Sequence, residues 1–187
     1  KLLIDNQVVL ENLQAIIFDK DGTLIDIHYY WSSIITIRTS LVIKKWFDKT
    51  SAKEIELKLF DLMGIDVETG RIKPNGPVGI MPRSFIVEIV ADFVRKEKPL
   101  VTNEQVENIF KEVDNSSSKN ISAFLKILPG VKEFLMLLKQ SKISSIIAST
   151  DITHRAILAM TALKLDKYFS LILGGDLVKK AKPNPDL

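Results

Sequence analysis

The sequence of 187 residues contains no cysteine. Disulfides, thiolate metal sites and cysteine nucleophiles are therefore excluded. Histidine is nearly absent too: His28 and His154 are the only two, too few for a polyhistidine metal site. Charge of one sign is also scarce. Lys and Arg number 26 against 23 Asp and Glu, a formal net charge of +3, and the basic residues are scattered. That is too weak and diffuse for a nucleic-acid surface, so no nucleic-acid partner is expected. A mildly basic lining would still suit an anionic substrate. No uninterrupted apolar run reaches the length of a membrane span. Residues 31–47 come nearest, but Arg38, Lys44 and Lys45 break them. The start does not read as a signal peptide, because Asp5, Asn6 and Glu11 interrupt any apolar stretch. The expectation is a soluble cytoplasmic protein without a membrane partner. The first residue is Lys1 rather than Met, so the native start is expected to lie upstream.

What is present is a core. Apolar residues make up 46% of the chain, enough for one domain or a core with an insertion. Residues 14–19 read as a short buried strand closed by a turn. Residues 31–47 repeat apolar positions at helical spacing (Trp31, Ile34, Ile35, Leu41, Val42, Trp46), with Arg38 on the same stripe. Residues 51–63 read as a second helix, with Ser51 and Glu54 spaced as a capping box and Gly64 as C-cap. Residues 70–82 hold three Gly and three Pro, a long loop of the kind that carries function. Helices are predicted over 84–96 and 102–113, the latter with Thr102 and Gln105 as a capping box. The polar run 115–118 reads as a break or hinge. From Pro129-Gly130 onward the pattern alternates: helix 131–140, strand 143–148, helix 153–164, strand 171–173. The order is one strand, a helical block, then βαβ rhythm. It predicts an α/β fold, a Rossmann-like parallel-sheet core at 1–26 and 126–187 with an all-helical cap inserted at 27–125.

The densest chemistry lies in the run Asp19-Lys20-Asp21-Gly22-Thr23, directly after the apolar residues 15–18. Residues i and i+2 of a strand point the same way, so a strand end can aim both carboxylates at one spot. Gly22 lets the backbone approach a ligand closely. Two acids aimed together repel unless a cation or shared proton lies between them. The economical reading is Mg²⁺-assisted phosphoryl transfer, with one Asp as nucleophile and the other as general acid and base.

This run resembles the first motif of the haloacid dehalogenase-like superfamily, Asp-x-Asp-Gly-Thr. Ile146-Ile147-Ala148-Ser149 resembles the second motif, an apolar strand ending in a hydroxyl residue. Lys182-Pro183 resembles the third. Leu165-Asp166-Lys167-Tyr168-Phe169 and Gly174-Gly175-Asp176 are also family-like, and the phosphoglycolate phosphatase-like branch with a helical cap is the most similar in pattern. The resemblance implies that Asp19 attacks phosphorus and Asp21 exchanges the proton. It also implies that Asp19 and Asp21 hold Mg²⁺, and that Ser149 and Lys182 bind the phosphoryl group. Thr150 is the alternative to Ser149, and either it or Asp151 could equally cap the next helix. Lys179 and Lys180 are rivals of Lys182, but only Lys182 precedes a proline.

Further substrate-binding candidates are Gly22, Thr23, Arg38 and Arg83. For the two arginines the alternative is a structural ion pair. The implied activity is hydrolysis of a small phosphorylated metabolite, with a β-phosphoglucomutase-type phosphomutase and an inactive binding protein as alternatives. The family's fourth, acidic motif does not occur before Leu187. The expectation is therefore a core truncated at its C-terminus, with the strand at 14–19 on a sheet edge or paired with the segment 2–10, a second polypeptide or a missing C-terminal part. The sequence leaves the substrate and the oligomeric state open.

Overall fold

The computed structural model describes residues 2–78, 80–180, 182 and 184–186. Lys1, Gly79, Ala181, Pro183 and Leu187 lie outside the described residues, and with them the proline of the third motif. The chain divides into two compact units, Lys1–Asp26 with Leu125–Leu187, and Ile27–Phe124.

The first unit is α/β. Its sheet has three parallel strands in the order β3 (Ala15–Phe18), β4 (Ser144–Ala148), β5 (Leu171–Leu173). Ala15 pairs with Ser144 and Phe18 with Ile147, and Ile146 pairs with Leu171. The helices are α5 (Val131–Gln140) and α6 (Thr153–Ala162). Ile147, Leu135, Leu138, Ala156, Met160 and Leu165 are buried between strands and helices. Phe18 meets Phe134 of α5 and Phe169 edge-on, with ring centroids 6.1 and 6.2 Å apart.

β3 lies at one edge of this sheet, as the sequence led us to expect. It is not the fully buried strand that its apolar run suggested. Phe18 packs inward, whereas Ile17, on the opposite face, is 67% exposed. An unbroken apolar run cannot report which face its neighbours cover. The N-terminal segment does not pair with β3 either. Instead β1 (Leu2–Ile4) and β2 (Gln7–Leu10) form their own antiparallel hairpin. Its turn residues Asp5 and Asn6 both have positive φ, 50° and 62°, the backbone of a two-residue I′ turn.

The second unit is built on α1 (Ile27–Trp46), α2 (Ala52–Met63), α3 (Arg83–Arg95) and α4 (Asn103–Lys119). One face of each supplies its core, with Ile35, Val42, Leu59, Met63, Val90, Val94, Val106 and Phe110 among the buried side chains. Among the described residues, no helix is long and apolar enough to cross a membrane.

The capping box of α4 forms as read: Gln105 N–H donates to Thr102 Oγ1 and Thr102 N–H to Gln105 Oε1. The similar letters at α2 do not form one. Ser51 sits at φ −96°, ψ −2°, nearly helical, and its hydroxyl donates to Asp48 O at 3.2 Å. Glu54 instead takes Lys58, one turn on. The expected break at 115–118 is also absent, because α4 runs through it. Ser116 and Ser117 turn their hydroxyls back onto the carbonyls of Val113 and Asp114, which satisfies them inside the helix.

The loop after α2 is fastened locally. Gly64 has φ 90°, as a left-handed C-cap. Its carbonyl accepts from Lys73 N–H at 2.8 Å, and Gly76 approaches so closely that a Cβ there would lie 2.8 Å from Gly64 Cα.

Candidate active site

β3 stops at Phe18 because the chain turns sharply at residues 19–25. Lys20 O accepts from the N–H groups of Leu24 and Ile25, and Gly22 N–H donates to Ile25 O. Gly22 has φ 83°, a backbone that only glycine adopts cheaply. The turn leaves Asp19 and Asp21 at the carboxyl end of the sheet, with side chains 42% and 34% exposed.

The third-motif lysine reaches this point across 163 positions of sequence. Lys182 Nζ donates to Asp19 Oδ1 at 2.5 Å and to Ala148 O, the last residue of β4, at 2.8 Å. Of the three neighbouring lysines, Lys179 and Lys180 are exposed. Ser149 follows β4 directly and is 1% exposed. Its Oγ accepts from Asp151 N–H at 3.1 Å, which leaves its own proton for another acceptor. Thr150 is exposed. Thr23 is exposed as well and lines an apolar cavity of about 370 Å³ with Phe18, Pro129 and Phe134.

Arg38 and Arg83 belong to the helical unit, where both pair with Asp114. Arg38 is 5% exposed and lies over the Phe110 ring, 4.1 Å from its centroid. Burial lowers its pKa, which the pairing with Asp114 partly offsets. For Arg83, burial also acts downward, but hydrogen bonds to Glu107 and Asp114 outweigh it and the net shift is upward. This is the environment of a structural ion-pair cluster. His28, in the first turn of α1, accepts from Ile72 N–H at 3.1 Å.

Reading the sequence missed the part played by two groups near the motif loops. Lys20, between the two aspartates, is buried and pairs with Asp21 and Asp151. Asp176 caps α6 from a distance: its Oδ1 accepts from both the N–H and the hydroxyl of Thr153, each at 2.7 Å. The Thr153 hydroxyl, then its N–H, lower the Asp176 pKa. A depressed carboxylate stabilises the fold above the ordinary aspartate range and loses that contribution as pH falls through the lower folded value. Asp176→Ala should therefore lower the melting temperature by a few degrees at neutral pH. The difference from wild type should shrink in strong acid. Thermal melts at both pH values check this.

Among the described residues no group of three or more His, Cys, Asp or Glu is arranged to hold a metal ion. The Asp19 carboxylate, with the backbone carbonyl of Asp21, nevertheless suits Mg²⁺, a hard cation usually bound by one or two carboxylates, with waters and substrate phosphate filling its octahedron. Lys182 and Lys20 each occupy one carboxylate oxygen, of Asp19 and Asp21 respectively, and both carboxylates remain partly open to solvent.

A parallel sheet carrying two aspartates, a buried serine and a lysine at one end belongs to a defined class. The chain is a member of the haloacid dehalogenase-like hydrolase family, whose family model matches residues 13–187. It is 33% identical over 88 residues to a phosphorylated carbohydrates phosphatase of Thermotoga maritima, covering 47% of this chain and 41% of that protein. It is 30% identical over 175 residues to pyrophosphatase PpaX of Oceanobacillus iheyensis, covering 94% of this chain and 65% of that protein. The chain thus spans less than two thirds of the length of these relatives. Its fold matches that of a predicted phosphoglycolate phosphatase from Haemophilus somnus 129PT at TM-score 0.60 and 19% identity, covering 94% of this chain and 68% of that one.

Proposed function

We propose that this chain carries the catalytic residues of a Mg²⁺-dependent phosphatase that hydrolyses a small phosphate monoester through an aspartyl-phosphate. The observation that supports this most is the contact of Lys182 Nζ with Asp19 Oδ1, which joins the first and third motifs at the end of β3. The names of the relatives, a phosphorylated carbohydrates phosphatase and a pyrophosphatase, support transfer of a phosphoryl group to water as the reaction.

Asp19 is the nucleophile. Its carboxylate oxygen forms a bond to phosphorus as the bond from phosphorus to the leaving oxygen breaks. Asp21 gives that oxygen its proton. In the second half, water adds to phosphorus and loses a proton to Asp21. Inorganic phosphate leaves and Asp19 is restored. Lys182 offsets charge on Asp19 and the transferring group, and the Ser149 hydroxyl donates to a phosphoryl oxygen. Asp19 and the backbone carbonyl of Asp21 would hold Mg²⁺, which when bound supplies further charge compensation to the phosphoryl oxygens. The helical unit takes the role of the family's cap.

The test is phosphate release from a panel of small phosphate monoesters by the native full-length protein. Activity that is abolished by a chelator and restored by Mg²⁺ is expected. Turnover that is indifferent to chelation would contradict the metal assignment.

A further inference from the structure

A lysine between two acids that are partly open to solvent would ordinarily extend into water. Lys20 instead is 4% exposed. Burying an ammonium group is costly unless it is paired and hydrogen-bonded, and here it is paired twice. Lys20 Nζ donates to Asp21 Oδ1 at 2.8 Å and lies 3.2 Å from Asp151 Oδ2.

Asp151 is a fixed anchor. Its N–H donates to Ser149 Oγ, its carbonyl accepts from Gly175 N–H at 2.9 Å, and its Oδ1 accepts from Ile152 N–H at 2.9 Å. Arg155 Nε stands 3.7 Å from the same Oδ1. The backbone of Lys20 is fixed as well, because its carbonyl closes the turn through Leu24 and Ile25. One buried ammonium therefore ties the loop after β3 to the loop after β4. The group it holds on the first loop is the Asp21 carboxylate.

We propose that Lys20 is a positioning residue for Asp21. Anchored by Asp151, it sets the direction in which the Asp21 carboxyl meets the leaving oxygen. This rests on the acid–base role given to Asp21 above. Protonation matters most where the leaving oxygen is strongly basic and little where it leaves easily as an anion. Misplacing the acid by about 1 Å can cost on the order of 10²-fold. That loss should fall on poor leaving groups and spare good ones, whereas general damage to the site lowers all substrates together.

The experiment measures kcat/KM for a series of aryl phosphates, from p-nitrophenyl to phenyl phosphate, and for one alkyl phosphate, with the native full-length protein. Lys20→Met keeps the length and apolar stem but removes the ammonium. It should lower the alkyl phosphate rate by about 10²-fold, leave p-nitrophenyl phosphate within a few-fold, and steepen the dependence on leaving-group pKa. Lys20→Arg should restore much of the wild-type slope. Asp151→Asn should shift the slope the same way by less. An unchanged slope in folded Lys20→Met, with all rates lowered alike, overturns the proposal. If Lys20→Met does not fold, an unchanged slope in Asp151→Asn overturns it. Asp21→Asn runs in parallel. If it does not alter the slope, the acid–base role itself fails. If it does and Lys20→Met does not, only the positioning role fails.

Discussion

Asp19→Asn is expected to lower turnover of a phosphate monoester by roughly 10⁴–10⁶-fold, the scale seen when a covalent nucleophile is removed. The substitution conserves shape, and the amide oxygen can still accept from Lys182 Nζ, which also keeps its bond to Ala148 O. It removes the charge and the nucleophilic lone pair that attack phosphorus. The Asp19–Lys182 pair is substantially open to solvent, so its loss should contribute little to stability. The variant should melt close to wild type while being nearly inert. Single-turnover and steady-state rates, read beside a thermal melt, check both halves. Activity within tenfold of wild type would remove Asp19 from the mechanism.

Asp21→Asn is expected to act on proton transfer rather than on attack. Turnover should fall by about 10²–10⁴-fold, the usual contribution of a positioned acid or base. The backbone carbonyl of residue 21 is unchanged, so competitive inhibition by inorganic phosphate should persist within a few-fold. Both half-reactions use this carboxyl, so the loss should appear in formation and in hydrolysis of the intermediate. Loss of phosphate inhibition, with rates near wild type at saturation, would show that Asp21 serves binding instead.

Much of the fold was legible because its signals are local. The strand at 15–18, the turn with Gly22, the Gly64 cap and the Thr102–Gln105 box each depend on a handful of adjacent residues. Where a neighbour could compete, the same letters misled. Ser51 and Glu54 spell a capping box, but Lys58 captures Glu54. The serine-rich stretch of α4 looks like a break, yet its hydroxyls find carbonyls within the helix. The exposed face of β3 was illegible, because an apolar run carries no record of which neighbours cover it.

The candidate site divides in the same way. Asp19, Asp21, Ser149 and Lys182 were readable from motif order. The partners that fix them were not. Lys20 meets Asp151 across 131 positions of sequence, and Thr153 meets Asp176 across 23. Arg38 finds Asp114 across 76. No spacing rule anticipates pairings that exist only once β3, β4 and β5 lie side by side or, for Arg38, once α1 packs against α4. The lysine between the two aspartates carried no signal in the sequence, and its burial is what turns it into a positional argument.

The most direct test of the account is to trap the covalent intermediate. The full-length Asp21→Asn protein would be mixed with Mg²⁺ and p-nitrophenyl phosphate, whose leaving group departs without an acid so that only hydrolysis is slowed, then quenched in acid and digested, and its peptides read by mass spectrometry. Hydroxylamine treatment would identify any acyl phosphate. The account predicts the mass of one phosphoryl group on the peptide containing residue 19, labile to hydroxylamine and absent from an Asp19→Asn, Asp21→Asn double variant. Phosphate release with no hydroxylamine-labile phosphoryl group, or with the label on another residue, would contradict it.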